Sequence, residues 1–132
     1  MSQNLKNILQ KYVEEYKDDI DAIIISDKDS VELSGGYAIG EDKLKETQSV
    51  MSKWFVTVIS STSENLMKLH KTKAKSMTLF FQEHLIYVEN WENLVLLIFA
   101  KENANLGIIY QVAKDLQQIQ SKLNNAYESL KQ

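Results

Sequence analysis

The chain opens with Leu5, Ile8, Leu9, Tyr12, Val13 and Tyr16 at three-and-four spacing, which places them on one face of an α-helix. Lys6, Lys11, Glu14 and Glu15 fall away from its centre. The period then changes. An isoleucine-rich run from Ile20 to Ile25 is followed by Asp27-Lys28-Asp29-Ser30 and then by Val31-Glu32-Leu33, a pattern that predicts a strand, a tight turn and a second, more exposed strand. Ile23, Ile24 and Ile25 leave no polar face, so the first strand is expected inside a sheet and covered on both sides.

From about Asp42 to about Lys71 no proline or glycine interrupts the chain. Glu41 and Asp42 lie near the positive end of the helix this predicts, and Lys68, His70 and Lys71 near its negative end. Met51, Phe55, Val58 and Thr62 form one stripe, and Val50, Trp54, Val56 and Ile59 spread the apolar surface beyond what covering one sheet requires. Burial on two sides is the expectation, the second side supplied by another chain. Met77 to Phe81, Leu85 to Val88 and Leu94 to Phe99 read as three strands, separated by Gln82-Glu83-His84 and by Glu89-Asn90-Trp91-Glu92-Asn93. The last run is the most uniformly apolar and should be central, whereas the first keeps polar neighbours and suits an edge. A second long helix should carry Ile108, Ile109, Val112, Leu116, Ile119, Leu123, Tyr127 and Leu130. The order is α-β-β-α-β-β-β-α, an α/β (α+β) chain. Without a repeat, proline-rich linker or low-complexity stretch, it reads as one domain over residues 1–132.

Composition adds exclusions. In 132 residues the hydrophobic share of 44% and charged share of 25% are those of a globular chain. The net charge of -3 gives no overall field that would draw it to nucleic acid or an anionic membrane. There is no cysteine, which removes disulfides, thiolate metal sites and a thiol nucleophile, and makes an intracellular protein the simpler expectation. The first residues mix charge with apolar side chains, unlike a signal peptide. The longest apolar run, Leu94 to Ala100, is too short to cross a bilayer. Ser2 stands where myristoylation needs glycine, and no cysteine is available for prenylation. Residence at a membrane would come through a partner.

Motifs for chemistry are sparse. His70 and His84 lack any metal-ligand spacing and read as a helix-terminal cation and a hairpin residue. Ser34-Gly35-Gly36 with Gly40 makes neither a dinucleotide fingerprint nor a P-loop, and reads as a flexible loop. Asp27 and Asp29 begin with the alternation of a calcium loop but lack its glycine and distal glutamate, so an Asx-type turn is expected. Ser60-Ser61-Thr62-Ser63 has no nucleophile elbow or base. Lys68, Lys71, Lys73 and Lys75 gather at the end of the long helix, either complementing its dipole or forming an anion-facing patch. Trp91 could anchor an interface or pack under a helix. No nucleophile, base and orienting group assemble, so neither an enzyme, a cofactor nor a metal is expected.

The element order and three strings, Leu5-Lys6, AIIISDKDSVEL at 22–33 and ANLGIIYQVAKDLQQI at 104–119, resemble the roadblock/dynein light chain family, and within it the Ragulator branch. Ser30 departs from the pattern, since a turn glycine is commoner there. The resemblance implies a five-stranded, mainly antiparallel sheet with the middle helix on one face and the terminal helices on the other. It also implies dimerisation through third strands and middle helices. The expected interface is Val50, Trp54, Phe55, Val58 and Ile59 from the helix with Met77, Leu79 and Phe81 from the edge strand. The function implied is a non-enzymatic scaffold. It would pair with a second roadblock chain in a Ragulator-like complex that docks Rag-type small GTPases and MAP kinase/TOR signalling components at the late endosome or lysosome. The alternatives are a homodimeric regulator of a Ras-like GTPase and, more weakly, a dynein-associated light chain bridging cargo.

Overall fold

The computed structural model describes residues 2–38, 54–62, 64, 75–81 and 83–131. The elements are α1 (Ser2–Glu15), β1 (Ile20–Asp27), β2 (Glu32–Tyr37), β3 (Ser76–Phe81), β4 (His84–Trp91), β5 (Leu94–Lys101), α3 (Leu106–Gln117) and α4 (Gln120–Lys131), with residues 54–62 helical and termed α2. The five strands form one antiparallel sheet in the order β2-β1-β5-β4-β3. β1 is buried along its whole length and β5 up to Lys101. The uniformly apolar runs are therefore inside the sheet and β3 is at its edge.

Alternation along the strands divides the core into two layers. Ile23, Ile25, Leu96 and Ile98 turn toward Leu5, Leu9 and Val13 of α1 and Ile109, Val112 and Leu116 of α3. Ala22, Ile24, Val95, Leu97 and Phe99 turn the other way, onto Phe55, Val56 and Ile59 of α2. A strand covered on both faces has no use for a polar side, and each fully buried Ile or Leu contributes about 1.5–3 kcal/mol of transfer free energy.

The turn after β1 is the expected Asx turn. Asp27 Oδ1 accepts the backbone N–H groups of Asp29 and Val31, both at 2.9 Å, and Ser30 takes a positive φ of 68°, a region that favours glycine. The β4–β5 hairpin shows the same backbone demand. Trp91 pairs with Leu94 across a two-residue loop whose first member, Glu92, is exposed with φ 56°. Side chains other than glycine are strained in this region. Glu92→Gly is therefore expected to stabilise the fold by about 0.5 kcal/mol after the unfolded-state cost of glycine is subtracted. Thermal unfolding followed by circular dichroism should show a midpoint about 2 °C higher.

Two expectations are corrected. Ser34, Gly35 and Gly36 are buried residues of β2, not a loop. The single closing helix is two, because the ladder tightens at 118–119. There Gln118 N–H reaches Asp115 O at 3.3 Å and Ile119 N–H reaches Leu116 O at 3.1 Å, both one residue short of α-helical spacing. No proline or glycine marks that break, so periodicity alone does not show it. The start of α3 is capped by Asn105, whose Oδ1 accepts the Gly107 N–H at 2.9 Å.

Candidate protein-interaction surface

A sheet of this order has two edges, and they differ. On the β2 edge the bond from Ala38 N–H to Asp21 O, 2.9 Å, fixes which residues face β1; by alternation Tyr37 and Gly35 turn their backbone groups outward. Gln10 of α1 closes that side. Its carboxamide donates to Tyr37 O at 2.8 Å and accepts Tyr37 N–H at 3.0 Å, standing where a neighbouring strand's peptide group would. The pairing of β2 with β1 is also irregular, its register shifting between Ile25 and Ser26 of β1, a bulge of the kind that blunts edges.

The β3 edge has no such cover among the described residues. Asn90 N–H bonds Lys75 O at 2.7 Å, so Lys75, Met77, Leu79 and Phe81 point their backbone groups at β4, while Ser76, Thr78 and Phe80 point theirs away from the sheet. These three residues carry the donors and acceptors that a further strand would use. Phe80 is also the most exposed large apolar residue described, at 67%.

On the α2 face, Phe55, Val56 and Ile59 turn into the core, with the Phe55 and Phe99 rings edge-to-face at 6.3 Å. Trp54, 59% exposed, Thr57, Val58 and Ser61 make the outer face at one, four, five and eight along the helix. Trp54 leans on Phe55, ring centroids 5.3 Å apart.

The structure thus sorts the sequence-selected residues. Trp54 is exposed and Val58 half-buried on the outer face of α2, whereas Phe55 and Ile59 fill this chain's own core and leave almost no surface to a partner. Met77 and Leu79 are half-buried against the α2-side core, and Phe81 ends β3 opposite His84. Val50 lies outside the described residues, as do His70, Lys68, Lys71 and Lys73. Sequence reasoning passed over Ser76, Thr78 and Phe80 because an apolar pattern selects side chains, and strand pairing is made by backbone.

Trp91 is fully buried under α3 and offers no surface. It belongs to a polar cluster built on one side of β4. Tyr87, Glu89 and Trp91 are two apart and share a face; Tyr87 O–H donates to Glu89 Oε1 at 2.7 Å, Gln117 Nε2 of α3 donates to the same oxygen at 3.1 Å, and Trp91 Nε1 donates to Oε2. Burial, then the bond to Glu89 and its charge, push the Tyr87 phenol above its ordinary value.

Across residues 3–127 the sequence matches the family described as mitogen-activated protein kinase kinase 1 interacting. The chain is similar to the Ragulator complex protein LAMTOR3 homolog of Dictyostelium discoideum, with 28% identity over 110 residues, 82% of this chain and 79% of that protein. Among solved structures the fold resembles MglB with tetrameric arrangement, at a TM-score of 0.77 and 14% identity over 92% of this chain and 88% of that one. It also resembles the Roadblock/LC7 domain from Streptomyces avermitilis, at a TM-score of 0.71 and 11% identity over 89% of this chain and 96% of that one.

Proposed function

The chain belongs to the mitogen-activated protein kinase kinase 1 interacting family and carries a roadblock/LC7 fold, and from that premise we propose that it is a scaffold subunit that binds without turnover, pairing with a second roadblock chain. The observation that carries this reading is the asymmetry of the sheet edges. Gln10 closes β2, β3 is left with three outward residues, and Trp54 stands exposed on α2. Joining β3 to a partner strand would extend the sheet across both chains, and the outer face of α2 would meet its counterpart.

The name of the Dictyostelium relative points to a Ragulator-like assembly. We take the heterodimer to dock Rag-type small GTPases and MAP kinase/TOR signalling components at the cytosolic face of late endosomes or lysosomes. Among the described residues no helix is long and apolar enough to cross a membrane, so a partner would supply the attachment.

Thr78→Pro tests the strand joint. The Thr78 N–H points away from β4, a position where an edge strand tolerates proline, so the isolated chain should fold. One interchain hydrogen bond is removed, and association with the roadblock partner should weaken about tenfold or more. Size-exclusion chromatography with light scattering across a concentration series reads both effects. Unchanged pairing in folded Thr78→Pro protein would reject β3 as the joint.

A second reading, a homodimeric regulator of a Ras-like GTPase, is favoured by one observation. The outer residues of α2 are symmetric about the point between Thr57 and Val58, so in an antiparallel two-fold crossing Trp54 would face the partner copy's serine at position 61, large against small. A concentration-independent homodimer that ignores the roadblock partner and alters GTP hydrolysis by a small GTPase would decide for it.

A further inference from the structure

Ser76 opens β3 at the edge of the sheet and is exposed. Because Asn90 N–H bonds Lys75 O, the next pair, Ser76 with Glu89 of β4, is of the non-hydrogen-bonded kind, in which opposed side chains come closest. The Ser76 hydroxyl donates to the Tyr87 phenol oxygen, and Tyr87 O–H donates in turn to Glu89 Oε1 at 2.7 Å. Ser76 is thus the solvent-side end of a chain of hydrogen bonds that runs to a carboxylate only 3% exposed. Two sequence features bear on this hydroxyl. Lys75, Lys73 and Lys71 stand one, three and five residues before it; Lys75 is exposed, and the other two lie outside the described residues. The chain also has no proline, so none of its hydroxyls suits a kinase that requires proline beside the acceptor.

We propose that Ser76 is a phosphorylation site for a basophilic serine kinase, and that the phosphate acts as a switch against pairing through β3. Basic residues ahead of the acceptor complement the acidic substrate cleft of such a kinase. Thr78 also has lysines three and five residues before it, but it is half-buried and no lysine precedes it directly. In the transfer, Ser76 Oγ bonds the γ-phosphorus of ATP as the bond to the β,γ-bridging oxygen breaks; ADP leaves, and the hydroxyl proton passes to the kinase's catalytic carboxylate. The product carries a charge of about -1.5 to -2 where a neutral donor stood. Glu89 opposite it is buried, so the repulsion is weakly screened, whereas Lys114, which lines the same groove from α3, is exposed and its attraction is screened by solvent. Repulsion therefore dominates, and the start of β3 moves off β4. Ser76 is one of the three outward residues of the joint proposed above, and the switch rests on that reading.

The test uses the full-length chain, with the catalytic domain of protein kinase C and magnesium ATP as the probe and mass spectrometry to place the phosphate. Ser76 should be labelled in the free chain, about tenfold more slowly after Lys73→Gln with Lys75→Gln, and not at all after Ser76→Ala. The chain phosphorylated at Ser76 should bind the roadblock partner about tenfold more weakly. Its Asn90 amide, which bonds Lys75 O, should exchange hydrogen about tenfold faster. Absence of phosphate at Ser76, labelling of Thr78 in its place, or a phosphorylated chain that pairs as tightly as the parent would overturn the proposal. Thr78→Pro separates the two readings. If it weakens pairing while the phosphate does not, the switch fails and the joint stands; if neither weakens pairing, the joint itself fails and the switch with it.

Discussion

Replacing Trp54 with alanine is expected to weaken association with the roadblock partner by about 2 kcal/mol, roughly thirtyfold in Kd, because truncating a buried interface tryptophan commonly has that effect. The side chain is 59% exposed in the isolated chain, and its ring meets that of Phe55 edge-on, centroids 5.3 Å apart. Loss of that contact should lower the stability of the chain by no more than about 1 kcal/mol. Phe55→Ala should do the reverse. Phe55 is 1% exposed against Phe99, so its truncation should cost about 3–5 kcal/mol of folding stability. Any effect on pairing would then be secondary. Urea unfolding of each variant, with sedimentation equilibrium against the partner, separates the two classes. If Trp54→Ala pairs as tightly as the parent chain, the outer face of α2 is not part of the joint.

This division within one helix marks how far the sequence could be read. In sequence, the apolar width of Val50 to Ile59 predicts a helix with more to bury than one sheet can accept, and the pattern names the residues. Periodicity groups residues by face without saying which face meets the chain's own sheet. That choice depends on how α2 rolls over β1, β4 and β5, and it assigns Phe55 and Ile59 inward and Trp54 outward. The strands were legible for a similar reason, since burial on two faces leaves a continuous apolar run at β1 and β5 that short-range patterning detects. At β4 the same rule failed locally. Glu89-Asn90-Trp91 looks like a polar separator, yet β4 continues through it to Trp91, because Tyr87, Trp91 and Gln117 supply donors that let a carboxylate take a core position. The signal available was the alternation Leu85, Tyr87, Glu89, Trp91, which keeps strict step across the charge.

Gly36→Ala is expected to be among the most damaging single changes of its size, at about 3 kcal/mol of lost folding stability. A methyl group at Gly36 would lie 2.7 Å from the carbonyl carbon of Leu9 and the nitrogen of Gln10, and 2.8 Å from the Leu9 oxygen. All three are helix backbone and cannot rotate aside, so α1 must lift from the sheet. That movement loosens Leu5, Leu9 and Val13 in the core and strains the Gln10 clamp on Tyr37 that closes the β2 edge. Gly35→Ala provides the control one residue away. Its methyl would meet the Tyr37 ring at 2.9 Å, a side chain able to swing, so the cost should be nearer 1 kcal/mol. Neither glycine shows this difference in sequence, because the contact that separates them comes from a helix more than twenty residues earlier. Chemical unfolding of the two variants measures the contrast directly. Equal stability would mean that α1 yields freely over β2, and the closed β2 edge would then no longer support β3 as the proposed pairing strand.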